Sequence, residues 1–231
     1  MKNFFAIICA RGGSKGLKDK NLLPFNKTTL IGNAIQHAKK SKYISRIIVS
    51  TDSKKIAKEA SKCGAEVPFL RPKNISTDKS PEILSWIHII NYLKKTKSLP
   101  DYLVSVPSTS PLRHPTDIDK AITKIEKEKL DFVFSVTKSS KNPFFNIIKV
   151  LNSKISIACK PKKNIYRRQD APDCYDICTV VFVFKPSFIK KNKHLFKGKI
   201  GFVKIPKSRS SDIDDIYDYE FSKFIAKNKF N

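Results

Sequence analysis

The sequence predicts an α/β fold: a three-layer, Rossmann-like, doubly wound and mostly parallel sheet. Three features carry the prediction. From Phe4 to Val136, apolar runs of strand length alternate with stretches whose apolar residues recur at helical spacing. Polar and charged loops follow the strands, which is where doubly wound sheets bind ligands. The 231 residues suit one domain that buries a sizeable core without disulfide staples.

The elements follow in order. Phe4–Ala10 is an apolar first strand. Leu30, Ile31, Ala34, Ile35 and Ala38 mark a first helix, and Arg46–Ser50 is a short strand that ends in Thr51-Asp52. Ile56, Ala57 and Ala60 place a second helix, closed by Gly64 as a C-terminal cap. Glu66–Leu70 reads as a third strand, broken at Arg71-Pro72. Ile83, Leu84, Ile87 and Ile90 make a third helix, with Trp86 packed on it. Tyr102–Val106 is a strand that runs into Pro107-Ser108-Thr109-Ser110-Pro111. Thr116 is placed to N-cap a helix carrying Ile118, Ala121, Ile122 and Ile125. Phe132–Val136 is another strand. Beyond Lys138 the alternation stops. Residues 142–159 read as strand pieces with short turns, and a basic stretch, Lys160 to Arg168, follows. Ile177–Phe184 and Ile200–Ile205 return to apolar strands. A last helix runs from about Asp212 to Lys227, with Ile213, Ile216, Phe221, Phe224 and Ile225 as its apolar side. Neither a repeat nor a low-complexity linker divides the chain, so it reads as a single domain over residues 1–231.

The first strand enters a loop loaded with glycine and cations, I-I-C-A-R-G-G-S-K-G-L-K-D-K-N over residues 7–21. Gly12, Gly13 and Gly16 let backbone N–H groups approach a ligand closely. Arg11, Lys15 and Lys20 bring positive charge to the same place, and Ser14 and Asn21 add neutral hydrogen-bonding groups. The combination describes a cradle for a polyphosphate. It is neither a Walker A loop nor a G-x-G-x-x-G fingerprint, because the spacing fits neither.

This loop resembles the opening motif of the acylneuraminate cytidylyltransferases, the CMP-sialic acid synthetase family with its Kdo, pseudaminic and legionaminic acid relatives. The family pattern is close to A-R-x-G-S-K-G-[LI]-x-x-K-N. Ala10, Arg11, Gly13 to Leu17, Lys20 and Asn21 match it. The resemblance implies a nucleotidyltransferase that moves CMP from CTP to a 3-deoxy-2-ulosonic sugar and releases pyrophosphate, for cell-surface glycan synthesis. It implies Mg²⁺ as cofactor and a homodimer built through a β-rich excursion, residues 139–178, that reaches the partner's site. Arg11, Gly12, Gly13, Ser14, Lys15, Lys20 and Asn21 would hold CTP, with Arg11 and Lys20 counted as catalytic.

Three further segments extend the resemblance. Ser210-Ser211-Asp212-Ile213-Asp214-Asp215 opens the final helix, where acids also suit the positive end of the helix dipole. Two carboxylates at i and i+2 on an extended turn suit Mg²⁺, which keeps waters and binds phosphate oxygens. Asp212, Ile213, Asp214 and Asp218 match the family's I-D-I-D-x-x-x-D, so Asp212 and Asp214 are its implied metal ligands and catalytic groups. Arg71 to Ser80, R-P-K-N-I-S-T-D-K-S, resembles the nucleotide segment and puts Arg71, Asp78 and Ser80 near cytosine and ribose. Val106 to Arg113 resembles Q-P-T-S-P-L-R, and Tyr166 to Pro172 resembles the sugar-carboxylate segment. Ser110, Arg168 and Gln169 are thereby implied in acceptor binding, with Arg168 as the bidentate partner of a carboxylate. Pro107 stands where the family carries glutamine, and Asp176 and Cys178 stand where it carries arginine and asparagine. These departures point to an acceptor other than standard N-acetylneuraminate: Kdo, 8-amino-Kdo, Kdn, or a pseudaminic or legionaminic acid.

The bulk numbers bound other readings. The formal net charge is +26, which invites a nucleic-acid-binding module as the rival from another class. Lysine is spread over every expected helix and loop and far outnumbers arginine, so a solvated surface that steers anions explains the charge better than a base-reading stripe. The expectation is therefore no specific nucleic-acid partner. The five cysteines form no C-x-x-C pair and read as reduced thiols of a cytoplasmic protein. Cys174 and Cys178 have no histidine or further cysteine pair beside them, which sets zinc aside. No stretch approaches the ~20 apolar residues of a membrane span, and the N-terminus lacks a signal-peptide pattern.

Overall fold

The structure is a computed structural model that describes residues 2–161, 163–192 and 194–228. The chain begins with β1 (Phe4–Cys9), a tight hairpin of β2 (Pro24–Phe25) and β3 (Thr28–Thr29), and α1 (Leu30–Lys39). It continues through β4 (Ile44–Ser50), α2 (Lys54–Lys62), α3 (Glu82–Lys95), β5 (Tyr102–Ser105), α4 (Pro115–Lys127) and β6 (Phe132–Lys138). A second hairpin, β7 (Ile148–Leu151) and β8 (Lys154–Ile157), precedes β9 (Tyr175–Phe184), α5 (Pro186–Lys191), β10 (Ile200–Lys204) and α6 (Ile216–Asn228).

The strands β10, β6, β9, β5, β1 and β4 lie side by side in that order. β1 runs parallel to β4 and β5, β10 runs parallel to β6, and β9 is antiparallel to both β5 and β6. Strands covered on both faces must be apolar on both, which is why β1 reads F-F-A-I-I without alternation. Its residues still divide by face. Ala6 and Ile8 join Ile31, Ile56 and Ile122 of α1, α2 and α4, while Ile7 joins Trp86 and Ile89 of α3. On the α3 side, Trp86 lies 4.6 Å from Phe184, which stacks on Phe132 at 5.6 Å. The parallel strand ends that emerge at Cys9, Ser50 and Ser105 therefore face one edge, and the loops there form the site.

The doubly wound, mostly parallel sheet expected from the sequence is present, with four corrections. Glu66–Leu70 makes only the isolated bridges Ile48–Glu66 and Thr51–Leu70, because Pro68 between them has no N–H for a ladder. α4 is capped by His114, whose side chain accepts from Thr116 N–H, while the Asp117 carboxylate accepts from His114 N–H. Thr116 is thus inside the first turn, after Pro115. α6 begins at Ile216, because Ile213 N–H is drawn to Thr109 O outside the helix and the Asp215 carboxylate takes the N–H groups of Tyr217 and Asp218. Its packed face is Tyr219 and Ser222, and Ile216, Phe221 and Phe224 are exposed. The α5 helix and the β2–β3 hairpin are too short for periodicity to announce.

The β7–β8 hairpin turns through Asn152 and Ser153, both at positive φ. Its pairing puts Ile148, Val150, Ile155 and Ile157 on one face. Ile148, Val150 and Ile155 are 60%, 63% and 69% exposed, an apolar face without cover in the single chain. Among the described residues, no helix is long and apolar enough to cross a membrane.

One histidine makes the fold sensitive to acid. His37 on α1 has a buried Nδ1 with no hydrogen-bond partner, and burial, reinforced by Arg113 and Lys40, lowers it from 6.5 to about 3. Below pH ~6.5 the unfolded chain binds a proton that the folded chain refuses until about pH 3. Stability from this group is therefore complete above pH ~6.5 and falls as pH drops through that window, by up to about 1.4 kcal/mol per pH unit. Urea denaturation of H37L should lose about 2–3 kcal/mol less than wild type between pH 7 and pH 4. Identical pH dependence in the two proteins would sink the assignment.

Candidate active site

The glycine-rich loop leaves β1 and is held by its own polar groups. Gly12 N–H donates to Asp52 Oδ1 at 2.9 Å, so the Thr51-Asp52 strand end anchors the loop. A side chain at Gly12 would lie 2.9 Å from Ser53 Cβ, and one at Gly16 would lie 2.4 Å from the Asp214 carbonyl oxygen. Gly16 is therefore the place where the 212–214 segment crosses the loop. Asn21, buried, donates to Arg11 O at 3.0 Å and accepts from Ser108 Oγ at 2.5 Å. It fastens the loop to the β5 end and acts on the cavity through that fastening.

The 212–214 segment is positioned by its middle residue. Ile213 is fully buried with Phe25, Leu30 and Tyr219, and its N–H donates to Thr109 O at 2.8 Å. On either side of Ile213, Asp212 lies against Thr109 and Thr179 and Asp214 is exposed beside Lys20. Lys20 Nζ donates to Ile213 O at 2.6 Å and sits 3.3 Å from Asp214 Oδ1, with its side chain only 14% exposed. Asp218, matched to the metal motif by resemblance, accepts from the N–H groups of Asp214 and Asp215 and shapes the turn.

Arg11, Ser14, Lys15, Lys20, Asn21, Arg71, Asp78, Ser80 and Asp214 line one cavity of about 410 Å³ at the strand ends. Residues more than 190 positions apart thus meet there, as Lys20 and Asp214 do. Gly12 and Gly13 are not part of this lining, and Gly13 is exposed. Lys15 and Asp78 face each other at 2.6 Å, and Lys15 holds the Asp78 carboxyl below its usual range. Arg71 is buried, with Nε on Ser76 Oγ and Nη1 on Ser85 Oγ, both at 2.9 Å. Ser80 Oγ pairs with Thr77 Oγ1 at 2.7 Å and closes the 71–80 loop on itself.

Asp212 has a buried Oδ1 with no hydrogen-bond partner. Burial raises its carboxyl, Thr109 and Thr179 oppose that, and Asp214 reinforces it. An orphaned carboxylate oxygen beside a second, exposed carboxylate fits a hard cation with open positions for water and phosphate. Among the described residues no three His, Cys, Asp or Glu side chains are grouped so that they could hold a metal ion, so the protein would supply only part of such an ion's shell.

The acceptor residues are placed differently. Ser110 is fully buried and pairs with Thr179 Oγ1 at 2.8 Å. It supports the cavity wall from beneath and cannot touch a sugar there. Arg168 and Gln169 line a separate cavity of about 480 Å³, where Arg168 Nη2 donates to Ser139 O at 2.7 Å. Within one chain they do not join the cation-lined cavity. A third cavity, about 290 Å³, lies along Asp212 and Thr179 and includes Asp176, Cys178, Lys138 and Lys207.

Sequence reasoning missed the buried frame. Arg113, completely buried and lowered to about 9 by burial, donates to Val180 O and, at 2.6 Å, to Pro107 O. Arg209 binds the fully buried Asp117 carboxylate through Nε at 3.1 Å and Nη2 at 2.7 Å. Ninety-two positions separate the pair, so no local pattern could have announced it. Cys9 and Glu82 also line the first cavity. Cys9 is an inert thiol there, its ionisation pushed far up by burial.

A fold of this kind with a glycine–cation loop at its strand ends suits the binding of a phosphorylated ligand. Residues 5–226 match the cytidylyltransferase family, and the chain belongs to it. It is 33% identical over 231 residues to post-translational flagellin modification protein B of Campylobacter coli, covering 99% of this chain and 97% of that one. It is 32% identical, over the same shares, to CMP-N,N'-diacetyllegionaminic acid synthase of Campylobacter jejuni. In fold it is similar to CMP:2-keto-3-deoxy-manno-octonic acid synthetase complexed with CTP, at a TM-score of 0.76, 12% identity, and coverage of 99% and 100%. The protein is accordingly a nucleotidyltransferase.

The Gly16 contact gives a direct test. G16A forces a methyl against the Asp214 carbonyl and should destabilise by about 1–3 kcal/mol in urea denaturation. G13A, with open space around its Cβ, should stay within about 0.5 kcal/mol. Equal effects of the two would mean that the loop does not pack on the 212–214 segment.

Proposed function

We propose that the protein transfers CMP from CTP to an acidic 3-deoxy-2-ulosonic sugar and releases pyrophosphate. The observation that carries the reading is a single cavity in which the glycine–cation loop, the 71–80 loop and Asp214 meet, in a chain of the cytidylyltransferase family. The name of one relative, the CMP-N,N'-diacetyllegionaminic acid synthase, favours a diacetamido nonulosonic acid as acceptor. Such a sugar also agrees with Pro107, Asp176 and Cys178 at positions where the sialic acid pattern has other residues.

In the proposed reaction the anomeric hydroxyl of the sugar attacks the α-phosphorus. The bond from the α-phosphorus to the bridging oxygen breaks, pyrophosphate leaves with its electron pair, and the hydroxyl proton passes to solvent water. Arg11, Lys15 and Lys20 balance the charge on the leaving phosphates. Lys15 exchanges Asp78 for phosphate oxygens as nucleotide enters, since water already screens this exposed ion pair. Asp212 and Asp214 would hold Mg²⁺, which supplies positive charge at the α-phosphate and lowers the pKa of an attached hydroxyl. The positive excess of the whole chain steers the two anionic substrates inward.

The acceptor's carboxylate is assigned to Arg168 and Gln169 of a second copy. The exposed apolar face of the β7–β8 hairpin is the surface that a homodimer would cover. Sedimentation should give a dimer, and V150K should shift it toward monomer; a wild type that sediments as a monomer removes this part of the reading. All five cysteines are unpaired, which suits a reducing cytoplasm; fractionation of cells tests that placement.

The decisive assay is pyrophosphate release with CTP, Mg²⁺ and a panel of ulosonic acids: N-acetylneuraminate, Kdn, Kdo, 8-amino-Kdo and the diacetamido nonulosonates. Release is expected with a diacetamido acid. D214N and K20A should each lower turnover about 10²–10³-fold, with unchanged circular dichroism. Wild-type turnover in either variant would refute its role, and absence of CTP binding in the native protein would refute the whole reading.

A further inference from the structure

Glu82 is a charged group in the cavity that the reaction above does not use. An acid in the first turn of α3 has an ordinary explanation in the helix dipole, and such an acid points to solvent. Glu82 departs from that. The residue as a whole is exposed at the helix start. Its carboxyl nevertheless turns inward, where Oε1 accepts from Trp86 Nε1 at 3.2 Å and from Ser105 Oγ at 3.4 Å. Trp86 and Ser105 are almost wholly buried, so the carboxyl is held before any ligand arrives. Glu82 lines the cavity beside Cys9, Arg71 and Ser85. Burial raises its carboxyl, and the Arg71 charge opposes that shift.

The two ends of a nucleotide make different demands. The phosphates go to Arg11, Lys15 and Lys20, where the charge is. The stretch of wall formed by Arg71, Glu82 and Ser85 offers one fixed donor group and one fixed acceptor. Arg71 has Nε and Nη1 engaged with Ser76, Ser50 and Ser85, which leaves Nη2 for a ligand. Cytosine presents a 4-amino donor beside the N3 and O2 acceptors. Uracil presents a 4-oxo acceptor beside an N3–H donor. Only cytosine sets its donor against a carboxylate and its acceptors against a guanidinium; uracil would set two acceptors face to face and leave a buried polar group unpaired.

We propose that Glu82 accepts a hydrogen bond from the 4-amino group of the base and so selects CTP over UTP. The assignment rests on the cavity being a CTP site, and it adds a specificity residue to that reading. Because Trp86 and Ser105 donate to one oxygen, a glutamine at this position keeps its amide oxygen there and turns its amide NH₂ to the base. E82Q therefore replaces an acceptor with a donor, which favours a 4-oxo group.

The test is titration calorimetry of wild type and E82Q with CTP, UTP and 2-pyrimidinone ribonucleoside triphosphate, which has hydrogen in place of the 4-amino group. Wild type is expected to prefer CTP to both others by about tenfold or more. E82Q is expected to bind CTP and the pyrimidinone nucleotide about equally and to gain on UTP. If E82Q does not fold, E82A removes the acceptor and must give the same equality of CTP and pyrimidinone. A wild type that prefers CTP, with the same preference in the variant, overturns the role of Glu82 alone. A wild type that binds no CTP overturns the cytidylyltransferase reading and this assignment together.

Discussion

The site depends on one backbone contact, the hydrogen bond from Ile213 N–H to Thr109 C=O, sealed by the Ile213 side chain in its own small apolar cluster. That contact lays a C-terminal segment across the loops at the ends of β1 and β5. Everything with chemistry at that edge is arranged around it. Asp212 and Asp214 flank Ile213, one against Thr109 and Thr179 and the other beside Lys20. Lys20 reaches the Ile213 carbonyl, and Gly16 has no side chain because the Asp214 carbonyl occupies the space. Three distant parts of the sequence therefore share one position to within hydrogen-bond tolerance, which is what a reaction governed by positioning requires.

Beneath this edge lies a frame of buried charge. Asp117 is fully buried and paired with the partly buried Arg209, and Arg113 is buried between the backbone carbonyls of Pro107 and Val180. A buried ion pair adds little net stability against an apolar replacement, yet losing one partner costs several kcal/mol. Such a pair therefore fixes register more than it stabilises. Here it ties residues 206–210 to the start of α4, while Arg113 ties the β5 loop to the antiparallel strand β9. The two arginines brace the walls on either side of Thr109 and Thr179, the residues that oppose the upward shift of the Asp212 carboxyl.

Much of this was legible in the sequence. Alternation of apolar periods announced β1, α1, β4, α2, α3, β5, α4 and β6, because buried strands and one-sided helices leave strong patterns. The glycine–cation loop was visible because both residue types are unusual in an ordinary turn. The rest was hidden for identifiable reasons. Pro68 sits in an apolar run that looks like a strand, and only its missing N–H reduces that run to two bridges. Ile213 belongs by spacing to the helix that follows, but tertiary burial holds it outside that helix, ahead of Asp215. Ser110 was implied in acceptor binding by the resemblance alone, and packing places it under the wall. Arg209 and Asp117 carry no local signal, since their pairing exists only after the chain has folded.

The charge distribution around the cavity follows the same economy of placement. A chain with a net charge of +26 has few acids to spare, yet Asp52, Asp78, Glu82, Asp212 and Asp214 all lie on or behind one wall. Each has a distinct partner: a backbone N–H for Asp52, Lys15 for Asp78, Trp86 and Ser105 for Glu82, Lys20 for Asp214. Asp212 keeps a buried oxygen without one. Exposed pairs such as Lys15–Asp78 exchange readily for a phosphate, because water has already weakened them. Groups held from two directions, such as Lys20, Arg71 and Glu82, cannot drift when a ligand enters. The cavity thus combines a replaceable ion pair at its rim with fixed groups in its wall, so a polyanion enters at low cost and is read by side chains already in position.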